Sequence, residues 1–126
     1  MKKVSKNWIV VDYENNQIGF IVPHSLALVG VKSFGIDGYL TGALGIMDDH
    51  KEYIYLWFSS GEICLVDGIA LKLLSQHITD GYTINQMVAF NDNKHILATS
   101  LEGTLMIFSG PQNNSIQLLK KLSLGF

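Results

Sequence analysis

The side chains able to do chemistry are few and scattered. The densest charged run is Asp48-Asp49-His50-Lys51-Glu52. Carboxylate oxygens are hard ligands, so such a run could hold a divalent cation, but it lacks the spacing of a calcium loop and sits between two apolar runs, where a solvated turn belongs. The four histidines, His24, His50, His77 and His95, show neither His-x-His nor His-Glu-x-x-His spacing. Zinc needs three or four converging ligands, so no metal and no cofactor is expected. Cys64, the single cysteine, lies in the apolar segment EICLVD. A reactive thiol needs a lowered pKa and exposure, and the interior of a strand supplies neither. One cysteine also excludes an intrachain disulfide and fits a reducing, cytoplasmic setting. Ser59-Ser60-Gly61 has no Gly-x-Ser-x-Gly elbow around it. Gly35, Gly38, Gly42 and Gly45 lack the Gly-Lys-Ser/Thr ending and the following helix of a phosphate loop. No catalytic residue is assigned. A site formed between subunits would draw its acid and base from Asp49, His50 or His95. The remaining candidates are aromatic. Trp8, Tyr13, Tyr39, Tyr53, Tyr55 and Trp57 are the expected partner-binding residues, because aromatic side chains dominate binding hot spots.

These residues are carried on a repeat. Residues 46–68 align without gaps on residues 88–110, an offset of 42 that sets Ile54 on Ile96, Gly61 on Gly103, Leu65 on Ile107 and Gly68 on Gly110. A third copy opens the chain, WIVVDY (8–13), a Glu14-Asn15-Asn16-Gln17 turn and IGFIV (18–22), at an offset of about 45. Each copy consists of short runs rich in Ile, Val, Leu, Tyr, Phe and Trp, punctuated by Gly, Asn and Asp, which is strand and turn chemistry. The pattern predicts strands near 8–13, 18–22, 26–34, 40–47, 53–59, 62–67, 70–78, 84–90, 95–100, 104–109 and 116–122. The runs at 70–78 and 116–122 also carry a helical spacing, as in Leu71, Leu74 and Ile78; their matching places in a β repeat favour strand. The polar residues 1–7 offer no obvious innermost strand for the first copy.

In YIYLWF, Tyr53, Tyr55 and Trp57 alternate with Ile54, Leu56 and Phe58, so both faces of that strand are apolar and both must be covered. Four-stranded sheets stacked around an axis meet that demand, and the small residues of GYLTGALG (38–45) suit a strand near the axis. At 126 residues and 14.0 kDa, with 48% hydrophobic and 16% charged residues, the chain is one domain with a sizeable core. That composition excludes a disordered tail or a coiled coil. Nine lysines and no arginine, scattered along a chain of net charge −2, make no basic stripe for nucleic acid. The start Met1-Lys2-Lys3 is followed by only four apolar residues, Trp8 to Val11, so no secretory signal is read. The longest apolar region, 18–31, is interrupted by Pro23-His24-Ser25, so no membrane span is read.

Residues 87–110 resemble a blade of a WD40-type β-propeller. The likeness rests on Val88-Ala89-Phe90, the turn Asn91-Asp92-Asn93-Lys94, Ile96-Leu97-Ala98-Thr99, Glu102-Gly103 and Ile107-Phe108-Ser109. Residues 46–68 share it in weaker form. No Gly-His dipeptide precedes a blade, and Phe108-Ser109 and Val66-Asp67 stand where the family has Trp-Asp. The resemblance implies an all-β chain of three propeller-like blades, about 1–39, 40–83 and 84–126, and a protein-docking role. A compact β-sandwich or small barrel is the alternative. Propellers close with four to eight blades, so three leave two apolar faces bare. Pairing of two copies into a ring is the expected remedy, as closed two-fold assemblies are common. The functional expectation is a non-enzymatic protein-binding module completed by self-association. Its alternatives are a small inhibitor or immunity-type protein that occludes an enzyme, and an enzyme with its site at a subunit interface.

Overall fold

The computed structural model describes the backbone of Lys2–Lys3 and, with their side chains, Ser5 and residues 7–123. Met1, Lys6 of the N-terminal lysine group and the final residues 124–126 of the third repeat lie outside the described residues. The strands are β1 (Lys2–Lys3), β2 (Ile9–Tyr13), β3 (Gln17–Val22), β4 (Ala27–Ser33), β5 (Leu40–Asp48), β6 (Lys51–Phe58), β7 (Glu62–Asp67), β8 (Leu73–Ile78), β9 (Ile84–Phe90), β10 (His95–Ser100), β11 (Thr104–Ser109) and β12 (Leu118–Ser123). They make three four-stranded sheets, β1 to β4, β5 to β8 and β9 to β12, each pairing its strands in chain order. All pairings are antiparallel.

Local chemistry fixes each hairpin. Asp48 pairs with Lys51 across a two-residue turn, and Asp49 and His50 both take left-handed angles, φ 48 and 66. Such turns twist in the same sense as the strands they join; in the first sheet Tyr13 pairs with Gln17 across the three-residue loop Glu14–Asn16, where Asn15 and Asn16 both stand at φ 59. Gly61 and Gly103 occupy equivalent corners at φ 87 and 84, a region that costs glycine nothing. Their N–H groups donate to Phe58 O at 3.0 Å and Ser100 O at 3.3 Å. Gly68 N–H donates to Glu52 O and Gly110 N–H to Lys94 O, both at 2.8 Å. The 42-residue offset therefore reproduces individual hydrogen bonds.

The sheets stack one on the next. Val10, Ile18 and Phe20 of the first sheet meet Ile54, Leu56, Phe58, Cys64 and Val66 of the second in one buried cluster. Tyr53, Tyr55, Trp57, Ile63 and Leu65 of the second meet Met87, Ile96, Ala98, Met106 and Phe108 of the third in another. Strand β6 is thus covered on both faces, by the first sheet on one side and the third on the other. Two packed sheets or one closed barrel would give neither arrangement, so the sandwich and barrel alternatives do not hold. The first strands converge, β5 touching β1, β2 and β9. Gly42 of β5 makes room within its own sheet: a methyl placed there would overlap the indole ring of Trp57, its cross-strand neighbour on β6.

The doubtful runs are strands. Leu71 sits at φ 56 just before β8, which breaks any helix there, and β12 pairs along β11. The innermost strand that residues 1–7 do not advertise is present as β1, two residues long, with Lys2 opposite Val10 and Lys3 opposite Ile9.

Gly42→Ala tests the close approach at Trp57. Overpacking of this kind costs about 1–3 kcal/mol, read as a lower urea midpoint with the slope of the transition unchanged.

Candidate functional site

The surface that differs most from a finished globular protein lies at the two ends of the stack. The repeat permits a residue-by-residue comparison of one face in two settings. On the second sheet, Tyr53, Tyr55, Trp57, Ile63 and Leu65 are buried at 5% exposure or less. Forty-two residues on, His95, Leu97, Thr99, Leu105 and Ile107 hold the same face of the third sheet, and no other sheet among the described residues covers them; all five are half-buried. Beside them Val88 and Phe90 are 39% and 41% exposed. The register makes this a continuous surface, with Leu97 opposite Val88 on one side and Ile107 on the other.

The first sheet ends in the complementary face. At an offset of 45, Ile9, Val11, Tyr13 and Ile21 match Ile54, Leu56, Phe58 and Val66, which the first sheet itself covers. Ile9 lies opposite Ile21 as Ile54 lies opposite Val66. Ile9, Val11 and Ile21 are half-buried, and Tyr13 and Leu28 are exposed. Val11, Tyr13 and Leu28 close over Gly19, whose missing side chain leaves them room. Contiguous apolar surface of this kind is the candidate site.

The six aromatic residues chosen from the sequence do not gather into one patch. Tyr53, Tyr55 and Trp57 are buried between the second and third sheets, which corrects their reading as a partner-binding surface: a strand that separates two sheets has no free face. Burial also raises the Tyr55 phenol above its ordinary pKa, with Tyr53 adding to the effect. Trp8 lies in the joint between the first two sheets, edge-on to Phe20 with ring centroids 5.9 Å apart, and its indole N–H donates to Gly68 O at 2.6 Å. Tyr13 belongs to the bare face of the first sheet. Tyr39 projects from the rim at 67% exposure, its backbone N–H donating to Ser59 Oγ at 3.0 Å. The aliphatic members of both end faces escaped an aromatic criterion. Comparing terminal repeats with the central one finds them, since matched apolar positions must go uncovered at the ends.

Of the charged run, Asp49, His50 and Lys51 are exposed in their turn, whereas Glu52 is buried and holds the start of the chain. Its Oε2 accepts from Ser5 Oγ at 3.0 Å and Asn7 Nδ2 at 3.1 Å. Glu52 and Ile69 separate two clefts on that rim. One, of about 450 Å³, lies against Trp8 and His24; the other, of about 300 Å³, against Tyr53 and Asn114. Among the described residues no three of His, Cys, Asp and Glu come close enough to share a metal ion, and no helix is long and apolar enough to cross a membrane. His95 lies over Phe90, ring centroids 5.3 Å apart, on the bare third-sheet face, and its Nδ1 lies 3.0 Å from Asn91 Nδ2. His77 is held below its ordinary pKa by burial, with Asp80 opposing; it meets the Phe108 ring edge-on.

No family model and no curated protein matches the chain. Its fold is similar to that of solved structures. One is a dihydro-heme d1 dehydrogenase, NirN, in complex with DHE, with a TM-score of 0.75 and 15% identity, covering 96% of this chain and 27% of that one. Another is the WD40 β-propeller domain of Doa1, with a TM-score of 0.70 and 18% identity, covering 98% of this chain and 40% of that one. The chain has a propeller-like fold of three four-stranded antiparallel sheets. It spans well under half the length of either similar chain.

Burial pushes the Cys64 thiol up to about 12, with nearby Glu62 adding to the effect. The native protein should therefore react with a thiol reagent far more slowly than the unfolded chain, which exposes an ordinary thiol. A folded-state pKa above the unfolded one stabilises the fold below the unfolded value and loses that contribution as pH rises toward the folded one. Thermal stability should fall from about pH 9 upward, and Cys64→Ala should flatten the part of that fall due to the thiol.

Proposed function

We propose that the chain is a non-enzymatic protein-binding module, three propeller-like blades completed by self-association. The observation that carries this reading is the pair of bare apolar faces, each equivalent to a face that is buried elsewhere in the same molecule. A sheet face carrying Val88, Phe90, Leu97, Leu105 and Ile107 gains free energy when covered, at about 25 cal/mol per Å² of apolar surface removed from water. Assembly supplies that cover, and the rims of the assembled blades then carry the recognition surface. Tyr39 and Leu101 project from one rim and Ile69 from the opposite one, 67%, 67% and 72% exposed, and the propeller fold of the similar structures is one that often mediates protein interaction. A binding role also accounts for where the candidate acids and bases lie, since Asp49 and His50 occupy a solvated turn and His95 is stacked on Phe90. The reading places the module in the cytoplasm, in keeping with a lone buried thiol.

Light scattering on the purified chain at micromolar concentration tests the assembly. The expected mass is twice the 14.0 kDa of one chain. A stable, soluble monomer would overturn the proposal.

A further inference from the structure

The two bare faces are different surfaces, and they are the two halves of one kind of joint. The covered joint between the second and third sheets pairs a face holding Tyr55, Trp57 and Leu65 with a face holding Ile96, Ala98 and Met106. The joint between the first and second sheets pairs Val10 and Phe20 with Ile54, Leu56 and Val66. In each, the later face of one sheet meets the earlier face of the next. What remains is the later face of the third sheet, centred on Leu97, and the earlier face of the first, centred on Val11. By repeat position Leu97 corresponds to Tyr55 and Val11 to Leu56, both fully buried in their own joints.

Resting on the self-association proposed above, we propose that the Leu97 face of one copy seats on the Val11 face of a second copy, and that the same joint forms again between the second copy and the first. A two-fold axis relates the copies and exchanges the two joints, each of which pairs unlike faces. Three blades and three blades give six, within the range of closed propellers. The occupant of each face is thus a second copy of this chain, because the joint it forms continues the two joints already inside the molecule. A pairing of like faces, third sheet on third sheet, would continue neither.

Two variants and their mixture decide this. Leu97→Lys places a charge on one half of the joint and Val11→Glu on the other. Every joint in a ring of identical copies contains one of each half, so either variant alone should be monomeric. Mixed in equal amounts they should recover a dimer containing one copy of each. One joint in that dimer carries both substitutions, opposite in charge, and the other carries neither. Rescue on mixing separates a lost interface from a lost fold, and circular dichroism of each variant checks the fold directly. Val88→Lys with Leu28→Glu repeats the test at positions already 39% and 46% exposed, where folding tolerates the change. A wild-type dimer that survives either substitution in both variant pairs would overturn the joint while leaving self-association standing. Folded monomeric variants that fail to recover a dimer on mixing would overturn it likewise. A monomeric wild-type chain would overturn self-association and the joint together.

Discussion

A blade that is apolar on both faces must be covered on both. Strand β6 meets that condition inside the molecule, with Ile54, Leu56 and Phe58 set into the first sheet and Tyr53, Tyr55 and Trp57 into the third. The rest of the architecture follows from this. Sheets stacked in succession bury every interior face, and only the first and last faces of the stack are left. Those carry the same kinds of side chain at the same register positions as the buried ones. The chain thus has the interior of a propeller at its centre and the unfinished surface of one at each end.

Turns and close approaches hold the stack in register. Left-handed residues at Asn15-Asn16, Asp49-His50 and Asn91-Asp92-Asn93 reverse the chain, while paired glycines at 61 and 103 set the opposite corners. Gly42 yields its volume to the Trp57 ring, and Gly19 to Val11, Tyr13 and Leu28. The first close approach builds an interior joint and the second an end face. Glu52, which stands where the next repeat has Lys94, is buried and accepts hydrogen bonds from Ser5 and Asn7, tying the start of the chain to the second sheet.

Much of the fold was legible in the residues. The unbroken apolar run YIYLWF announced two covered faces, and the offset of 42 located hairpins that share hydrogen bonds down to Gly68 and Gly110. Strands 62–67, 84–90, 95–100 and 104–109 fall at the expected bounds. Harder to read were 70–78 and 116–122, because an outer strand exposed along one edge tolerates helical spacing, and β1, because two lysines carry no strand signature. The candidate site was legible only in part. Aromatic type alone joined Tyr13 and Tyr39, which are exposed, to Tyr53, Tyr55 and Trp57, which are buried.

The sequence by itself determined the unit: strand, turn, strand, corner, repeated three times, since backbone preferences and period-two alternation act over a few residues. Only the tertiary structure decided which faces meet. Tyr55 and Leu97 stand at the same repeat position on the same kind of strand, yet one is enclosed and the other is not. That difference belongs to neither residue. It arises because, among the described residues, a sheet follows Tyr55 in space and none follows Leu97, and the order of sheets in a stack belongs to the tertiary structure and not to either residue.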